Sequence, residues 1–267
     1  MDNLKAIIFD VDGTLADTEE VHRLAFNHAF TDYGLDWHWS EELYCELLSI
    51  SGGRERMTAF GQDLKHRFNN EIEFTEFVID LHRAKTRKYA AMLTEGEVSL
   101  RPGMKRLINA ARDAGITMAI ATSSAYTNAE TLLDNNLPPG WREWFAAIET
   151  CDTVETKKPS PAVYQAVLEQ LDLPVENIIA FEDTPNGLFA ASAAGVGTIV
   201  TTHRFTRDHE FPGALLVVDG AGEPDQPFTI RDGDAMGFDH LTLELCDAAL
   251  AAQSTFRAPH GIERKSA

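Results

Sequence analysis

The sequence predicts an α/β fold: a doubly wound parallel-sheet core with an inserted α-helical cap. Three observations predict it. Short apolar runs alternate with helical stretches along most of the chain. The runs are continuous and rich in β-branched residues, as in strands covered on both faces. One long helical stretch interrupts the alternation directly after the first run.

The predicted strands are 4–9 (LKAIIF), 116–121 (ITMAIA), 178–181 (IIAF), 197–200 (GTIV) and 215–218 (LLVV). Between them, 104–114 is amphipathic and stops at Gly115, a residue suited to ending a helix. Ser160 and Pro161 supply an N-cap and a first-turn proline before AVYQAVLEQL. Residues 185–194 are alanine-rich and stop at Gly195. Strand and helix in this order wind a sheet on both faces. Residues 17–96 instead read as helix almost throughout, with periodic runs at 21–33, 41–48, 54–60 and 72–93. A helical insertion of that length after one strand reads as a separate lid. The predicted division is a core of 1–16 and 97–267 with a cap of 17–96. Within the core, 221–267 is an extension with a weak strand or loop, a helix at 239–251 and a polar tail.

The 267 residues suit one sizeable core plus a small module. With 23 basic against 42 acidic residues, the net charge of −19 disfavours nucleic acid as a partner. It leaves room for one locally positive pocket for a small anion. Cys45, Cys151 and Cys246 are far apart and form no CxxC pair, so neither a zinc site nor a disulfide framework is expected. No apolar run approaches the roughly 18 residues of a membrane span. The expected setting is soluble, reducing and cytoplasmic, with a monomer favoured. Trp37, Trp39, Trp141 and Trp144 are expected to pack the interior.

The chemistry concentrates at strand ends. Asp10 and Asp12 stand in FDVDGTL, after the first apolar run. Residues two apart on an extended strand point the same way, roughly 6.6–7 Å apart. Both carboxylates then project from the C-terminal edge of the sheet, where open α/β sheets bind ligands. One can act as nucleophile and the other can exchange protons. A lone Asp-x-Asp pair also fits a solvated turn; the strand before it and Gly13 after it argue for a site. Glu182 and Asp183 close a further strand, and with Asp10 they offer the oxygen ligands that Mg²⁺ takes. Asp183 is the main candidate, although it could also cap the next helix. Thr122, Ser123 and Ser124 lie between a strand and a helix, where hydroxyls and N–H groups hold anions. Lys158, before Pro159, could neutralise a phosphate and an aspartate.

Taken together, DVDGTL, ATSS, KKPSP and FEDTPNG resemble, in order and spacing, the four motifs of the haloacid dehalogenase superfamily of phosphohydrolases. The resemblance spans about residues 5–202 and implies a Rossmann-like core with a helical cap. It implies that Asp10 is the nucleophile, and that Asp12 is the acid/base and lends its backbone carbonyl to the metal. It also implies that Thr122 and Lys158 stabilise the phosphoryl group, and that Asp183, with Glu182, anchors Mg²⁺. The second aspartate argues for phosphoryl transfer over dehalogenation.

DVDGTLADTEEVHRLAFN, SGGRERM, LHRAKTRKY and ATSSAYTN are similar to the CbbY subfamily. That likeness implies a xylulose-1,5-bisphosphate phosphatase that removes a Rubisco inhibitor in the Calvin cycle. Substrate contacts then fall on Asp10, Glu19, His22, Gly52, Gly53, Arg54, Glu55, Arg56, His82, Arg83, Lys85, Thr122, Ser123, Ser124, Asn128 and Lys158. A bisphosphate has a distal phosphate to hold, and the helix opened by Gly52 and Gly53, with Arg54 and Arg56, could hold it. Arg83 and Lys85 could assist. The alternative is a phosphosugar mutase similar to β-phosphoglucomutase, since His22 and Lys85 have counterparts in both groups. A catalytically silent binding protein would be expected to lack the nucleophile.

Overall fold

The computed structural model describes residues 2–50, 52–95 and 98–257. Among them a seven-stranded sheet runs in the order β3-β2-β1-β4-β5-β6-β7. The strands are β1 (Ala6–Phe9), β2 (Thr117–Ala121), β3 (Phe145–Glu149), β4 (Ile178–Glu182), β5 (Gly197–Thr201), β6 (Leu216–Val218) and β7 (Ile230–Gly233). Pairing is parallel until the last pair, where β7 runs antiparallel to β6. Strand β1 is therefore interior, flanked by β2 and β4. Its register sets Phe9 beside both Ile120 and Phe181. The residues just beyond, Asp10 from β1 and Glu182 from β4, emerge side by side.

Alternation along the strands divides the core. Ile7 and Phe9 face one side, with Ile120, Phe181 and Ile199. That side is covered by α5 (Met104–Asp113), α6 (Tyr126–Asn136) and α9 (Leu243–Arg257). Ala6 and Ile8 face the other side, with Ala119, Ala121 and Ala180. It is covered by α7 (Ala162–Leu171) and α8 (Pro185–Ala193). So many alanines let α7 and α8 approach the sheet closely. The two packed faces match the expected doubly wound α/β core.

Among the described residues, four helices follow β1: α1 (Glu19–Asp32), α2 (Glu41–Leu47), α3 (Gly53–Phe60) and α4 (Glu71–Thr94), with a 3-10 turn at Gly61–Arg67. They enclose their own aromatic core of Phe26, Phe30, Trp39, Tyr44 and Phe74. Ser40 and Asn70 cap α2 and α4 by accepting from Leu43 and Glu73 N–H groups. The expected boundary at 96/97 and the final residues of the predicted tail lie outside the described residues. Trp39 and Trp141 are fully buried, and Trp37 and Trp144 pack against apolar clusters, as expected.

Three local differences have physical causes. Strand β3 (FAAIE) is short, holds two alanines and ends in an acid, so its apolar signal is weak. Strand β7 (IRDG) is exposed throughout and is held by backbone pairing to β6, with no apolar pattern to announce it. The last helix starts at Leu243, not 239, because Thr242 Oγ1 accepts from Leu245 N at 3.1 Å and sets its first turn. Cys45, Cys151 and Cys246 are free thiols. No helix among the described residues is long and apolar enough to cross a membrane.

Arg101, buried ahead of α5, ties the sheet edge together. Its guanidinium donates to the carbonyls of Gly13 (2.5 Å), Thr201 (2.9 Å), Thr202 (2.6 Å) and Asp219 (3.1 Å). Removing it would leave several buried carbonyls without a donor. Arg101→Met should lose roughly 3 kcal/mol or more of unfolding free energy in a urea titration; a loss under about 0.5 kcal/mol would contradict this bracing role.

Candidate active site

Asp10 stands at the C-terminal edge of the sheet, 6% exposed. Lys158 reaches it from the loop before α7. The ammonium donates to Asp10 Oδ1 at 2.6 Å, to Glu182 Oε1 at 2.6 Å and to the Ala121 carbonyl at 2.8 Å. All three of its N–H bonds are thus used. Tyr164 of α7 donates its hydroxyl to Glu182 Oε1 at 2.5 Å and sets its ring 5.3 Å from the ammonium. Gly187 makes room for Glu182, since a Cβ there would lie 1.8 Å from Glu182 Oε2.

Asp183 follows directly. Thr14 donates to its Oδ1 at 3.2 Å, and His203 Nε2 lies 2.9 Å from its Oδ2. The Phe205 N–H donates to His203 Nδ1 at 3.3 Å, so Nε2 carries the ring proton and donates to Asp183. Gly13 is needed here on two counts. Its φ is +86°, and a Cβ would lie 2.2 Å from Asp183 Oδ2. Helix α8 is capped by Thr184, which accepts from Gly187 N at 3.1 Å, so Asp183 is left free of that duty.

The charges here are unbalanced. Asp10, Glu182 and Asp183 place carboxylate oxygens within 4.8 Å of one another. When ionised, the three carboxylates outnumber the one ammonium of Lys158 by two negative charges. Burial pushes Asp10 up to about 7, against the pull of Lys158, and Asp183 up to about 6, against His203. Burial alone would lower Lys158, but Asp10 and Glu182 hold its ammonium well above the usual lysine range. An all-oxygen donor set with two surplus negative charges fits a hard divalent cation. Glu182 Oε1 takes two donors, Lys158 and Tyr164, whereas Asp10 Oδ1 takes Lys158 alone and each Asp183 oxygen takes one donor, Thr14 or His203.

Asp12 points elsewhere, and its side chain lies outside that three-carboxylate group. Thr18 donates to its Oδ1 at 2.7 Å, Tyr89 at 3.0 Å and His22 Nε2 at 3.2 Å, and Ser124 Oγ donates to Oδ2. Burial opposes its charge, yet the His22, Ser124 and Thr18 hydrogen bonds hold Asp12 well below the usual carboxylate range. With Nε2 donating, His22 turns a bare Nδ1 to the Lys85 ammonium, its next partner. His22 stacks on Tyr89 at 3.9 Å, and Lys85 lies 4.7 Å from the rings of both Phe26 and Tyr89. Burial lowers Lys85 to about 7, against the attraction of Asp12 and Glu19.

A cavity of about 180 Å³ separates these groups from the helical segment. On the sheet side Asp10, Asp12, Thr122, Ser123, Ser124, Asn128, Lys158, Glu182 and Asp183 line it. On the helical side Glu19, His22, Gly52, Gly53, Arg56, His82 and Lys85 do so. Ser123 Oγ is buried with no hydrogen-bond partner, as a group awaiting a ligand oxygen would be. Gly52 has φ +94°, and a Cβ on Gly53 would lie 2.9 Å from Phe26 and 3.0 Å from His82. Arg56 donates to the Ile50 carbonyl at 2.8 Å and to Tyr44 at 3.2 Å, and Tyr44 donates to Glu19 at 2.6 Å. Burial and nearby Lys85 lower His82 to about 4.

Three expected contacts are not on the cavity wall. Arg54 is 54% exposed and pairs with Glu55 at 3.3 Å. Glu55 also reaches Lys157 at 3.6 Å. Arg83 is 68% exposed and pairs with Asp80 at 3.0 Å. Helix periodicity explains both arginines, because Arg54 and Arg83 turn outward while Arg56 and Lys85, two residues on, turn in. Thr18, Tyr89, Lys157, Tyr164 and His203 were not anticipated. Lys157 and His203 could have been found, as each sits at the same sheet edge as an expected residue. Tyr89 and Tyr164 carry no local signal.

The comparisons with known proteins agree with this geometry. The family described as haloacid dehalogenase-like hydrolase matches residues 7–201. Protein CbbY of Cupriavidus necator is 46% identical over 224 residues, covering 84% of this chain and 88% of the relative. Protein CbbY of Cereibacter sphaeroides is 44% identical, covering 82% and 94%. Among solved structures, a mutant CbbY from Rhodobacter sphaeroides in complex with xylulose-(1,5)bisphosphate superposes with a TM-score of 0.73. It is 44% identical and covers 81% of this chain and 94% of that one.

Lys85 gives a pH signature. With its value lowered to about 7, it is largely neutral at pH 8, and an anion bound beside it restores the ammonium. Binding of a non-hydrolysable phosphonate ester at pH 8 should therefore take up a proton. Calorimetry in two buffers of different ionisation enthalpy measures this, and Lys85→Met should abolish most of it. Equal uptake in the variant would contradict the assignment.

Proposed function

The chain belongs to the haloacid dehalogenase-like hydrolases, and within them to the CbbY proteins, and from that membership we propose how this phosphatase works and on what. Its substrate is xylulose 1,5-bisphosphate, cleaved to xylulose 5-phosphate with Mg²⁺ as the cation. The observation that carries the chemistry is Asp10, held by Lys158 at the end of β1 and facing a cavity whose far wall carries Arg56 and Lys85. The sugar comes from the likeness to a CbbY protein whose structure holds that bisphosphate.

Asp10 attacks phosphorus, the bond to the sugar oxygen breaks, and an aspartyl phosphate forms. Asp12 gives a proton to the leaving oxygen and later takes one from the water that releases phosphate. In the free site its four donors keep Asp12 ionised, ready as a base. The incoming negative charge of the substrate raises its proton affinity, so that Asp12 takes a proton from solvent on binding and holds it for the leaving oxygen. Thr122 and Ser123 hold phosphoryl oxygens in place, and the charge of the Lys158 ammonium, bound to Asp10, offsets theirs. A cation held by Asp10 and Asp183, with the Asp12 backbone carbonyl, would neutralise charge on the transferring group.

The helical segment, 17–96, acts as a cap domain over the core of 1–16 and 97–267. Arg56, Lys85 and Lys157 offer positive charge to the distal phosphate, while Glu19 and His82 face the sugar. Binding of that phosphate, which does not react, stabilises the closed cap and keeps water from the reacting centre.

Phosphate release should be fast from xylulose 1,5-bisphosphate, slow from ribulose 1,5-bisphosphate, and abolished by EDTA. Asp10→Asn should retain the fold and lose on the order of 10³-fold in turnover. Equal release from both sugars would remove the specificity. Release from neither, with isomerisation of a hexose 1-phosphate primed by a bisphosphate, would favour a mutase.

A further inference from the structure

Three consecutive residues after β5 reach three separate places. His203 Nε2 donates to Asp183 Oδ2 at 2.9 Å, and its Nδ1 is fixed by the Phe205 N–H. Arg204 turns toward the helical segment, pairing with Glu20 of α1 at 2.5 Å and Glu41 of α2 at 3.5 Å. Phe205, 2% exposed, enters the aromatic core of that segment and meets the Tyr44 ring edge-on at 5.5 Å. Among the described residues, the rest of that core comes from the helical segment itself. Tyr44 in turn donates to Glu19 and accepts from Arg56, both on the cavity wall. The turn is stiff: Thr206 Oγ1 accepts from His203 N at 3.2 Å, and Thr206 and Arg207 N–H groups donate to the His203 carbonyl.

We propose that residues 203–205 form a strut coupling the seating of the helical segment to the orientation of Asp183, and so to cation affinity. His203 is a positioning residue that acts through Asp183, and Phe205 is the plug that senses where the segment sits. The proposal rests on the reading of Asp10 and Asp183 as cation ligands given above. The physical basis is that Phe205 leaves water only while seated in the aromatic core, and that His203 is hydrogen-bonded to the same residue's backbone. A shift of α1 and α2 moves Phe205 and Arg204, and with them the ring that holds Asp183. Coupling of this kind is reciprocal, so cation binding also favours the seated segment.

The test is Mn²⁺ affinity, read from the electron paramagnetic resonance of the free ion, on full-length protein checked for folding by circular dichroism. His203→Ala should weaken binding on the order of 10-fold, with His203→Gln, which keeps a donor, restoring most of it. Phe205→Ala touches no candidate ligand, yet should weaken binding about 3- to 10-fold, and Phe205→Leu less. The double variant His203→Ala/Phe205→Ala should bind no more weakly than His203→Ala alone, because both act along one path. Arg204→Ala, at an exposed site, should show a smaller loss and serves if Phe205→Ala does not fold. Wild-type affinity in Phe205→Ala, or in Arg204→Ala where the former is unfolded, would overturn the strut, as would additive losses in the double variant. No saturable Mn²⁺ binding by the wild-type protein, or binding unchanged by Asp183→Asn, would overturn the cation reading and the strut with it.

Discussion

The buried ammonium of Lys158, set between Asp10 and Glu182, is the interaction on which the rest of the site depends. Two carboxylates this close and this buried would repel each other and shed their charge. The lysine lets them share the space, with Tyr164 and the Ala121 carbonyl fixing its direction. Removing one partner of such a set strands a buried charge, so its members stand or fall together. The ammonium compensates only part of the negative charge. What remains suits a divalent cation, beside Asp10, the proposed nucleophile.

The sheet makes this arrangement possible. Because β1 lies between β2 and β4, the ends of three adjacent strands supply Asp10, Ala121 and Glu182 at one edge. Parallel pairing keeps those ends level. Gly13 and Gly187 then clear space for Asp183 and Glu182 that any side chain would fill. The helical segment closes the opposite wall of the cavity. Its contribution to Asp12 is direct, since Thr18 precedes α1 and His22 and Tyr89 come from α1 and α4. Asp12, the proposed acid/base, is therefore held in part by the helical segment.

Much of this was legible in the sequence because strand ends advertise themselves. Asp10, Thr122 and Asp183 each follow an apolar run, and Lys158 precedes a helix start, so their convergence followed from the α/β order. The division of labour between the acids was less visible. Glu182 and Asp183 are adjacent in sequence, yet one is tied to Lys158 and the other to His203. Tyr89 and Tyr164 lie on helix faces whose contacts depend on how helices pack, which no local pattern records. Arg54 and Arg83 show the same limit from the other side. Their composition suggested an anion site, but a helix turn of about 100° per residue directs them to solvent. Strand β7 left only the weak strand-or-loop signal of the extension, because an edge strand needs no apolar face.

If the account is right, Asp10 becomes phosphorylated during each turnover. The most direct measurement is to quench the enzyme in acid during turnover of xylulose 1,5-bisphosphate, reduce with borohydride, and map the product by peptide mass spectrometry. An acyl phosphate is reduced to an alcohol, so the account predicts homoserine at position 10 and unmodified aspartate at position 12. Unmodified Asp10 in an enzyme quenched while turning over, or homoserine at another position, would contradict it.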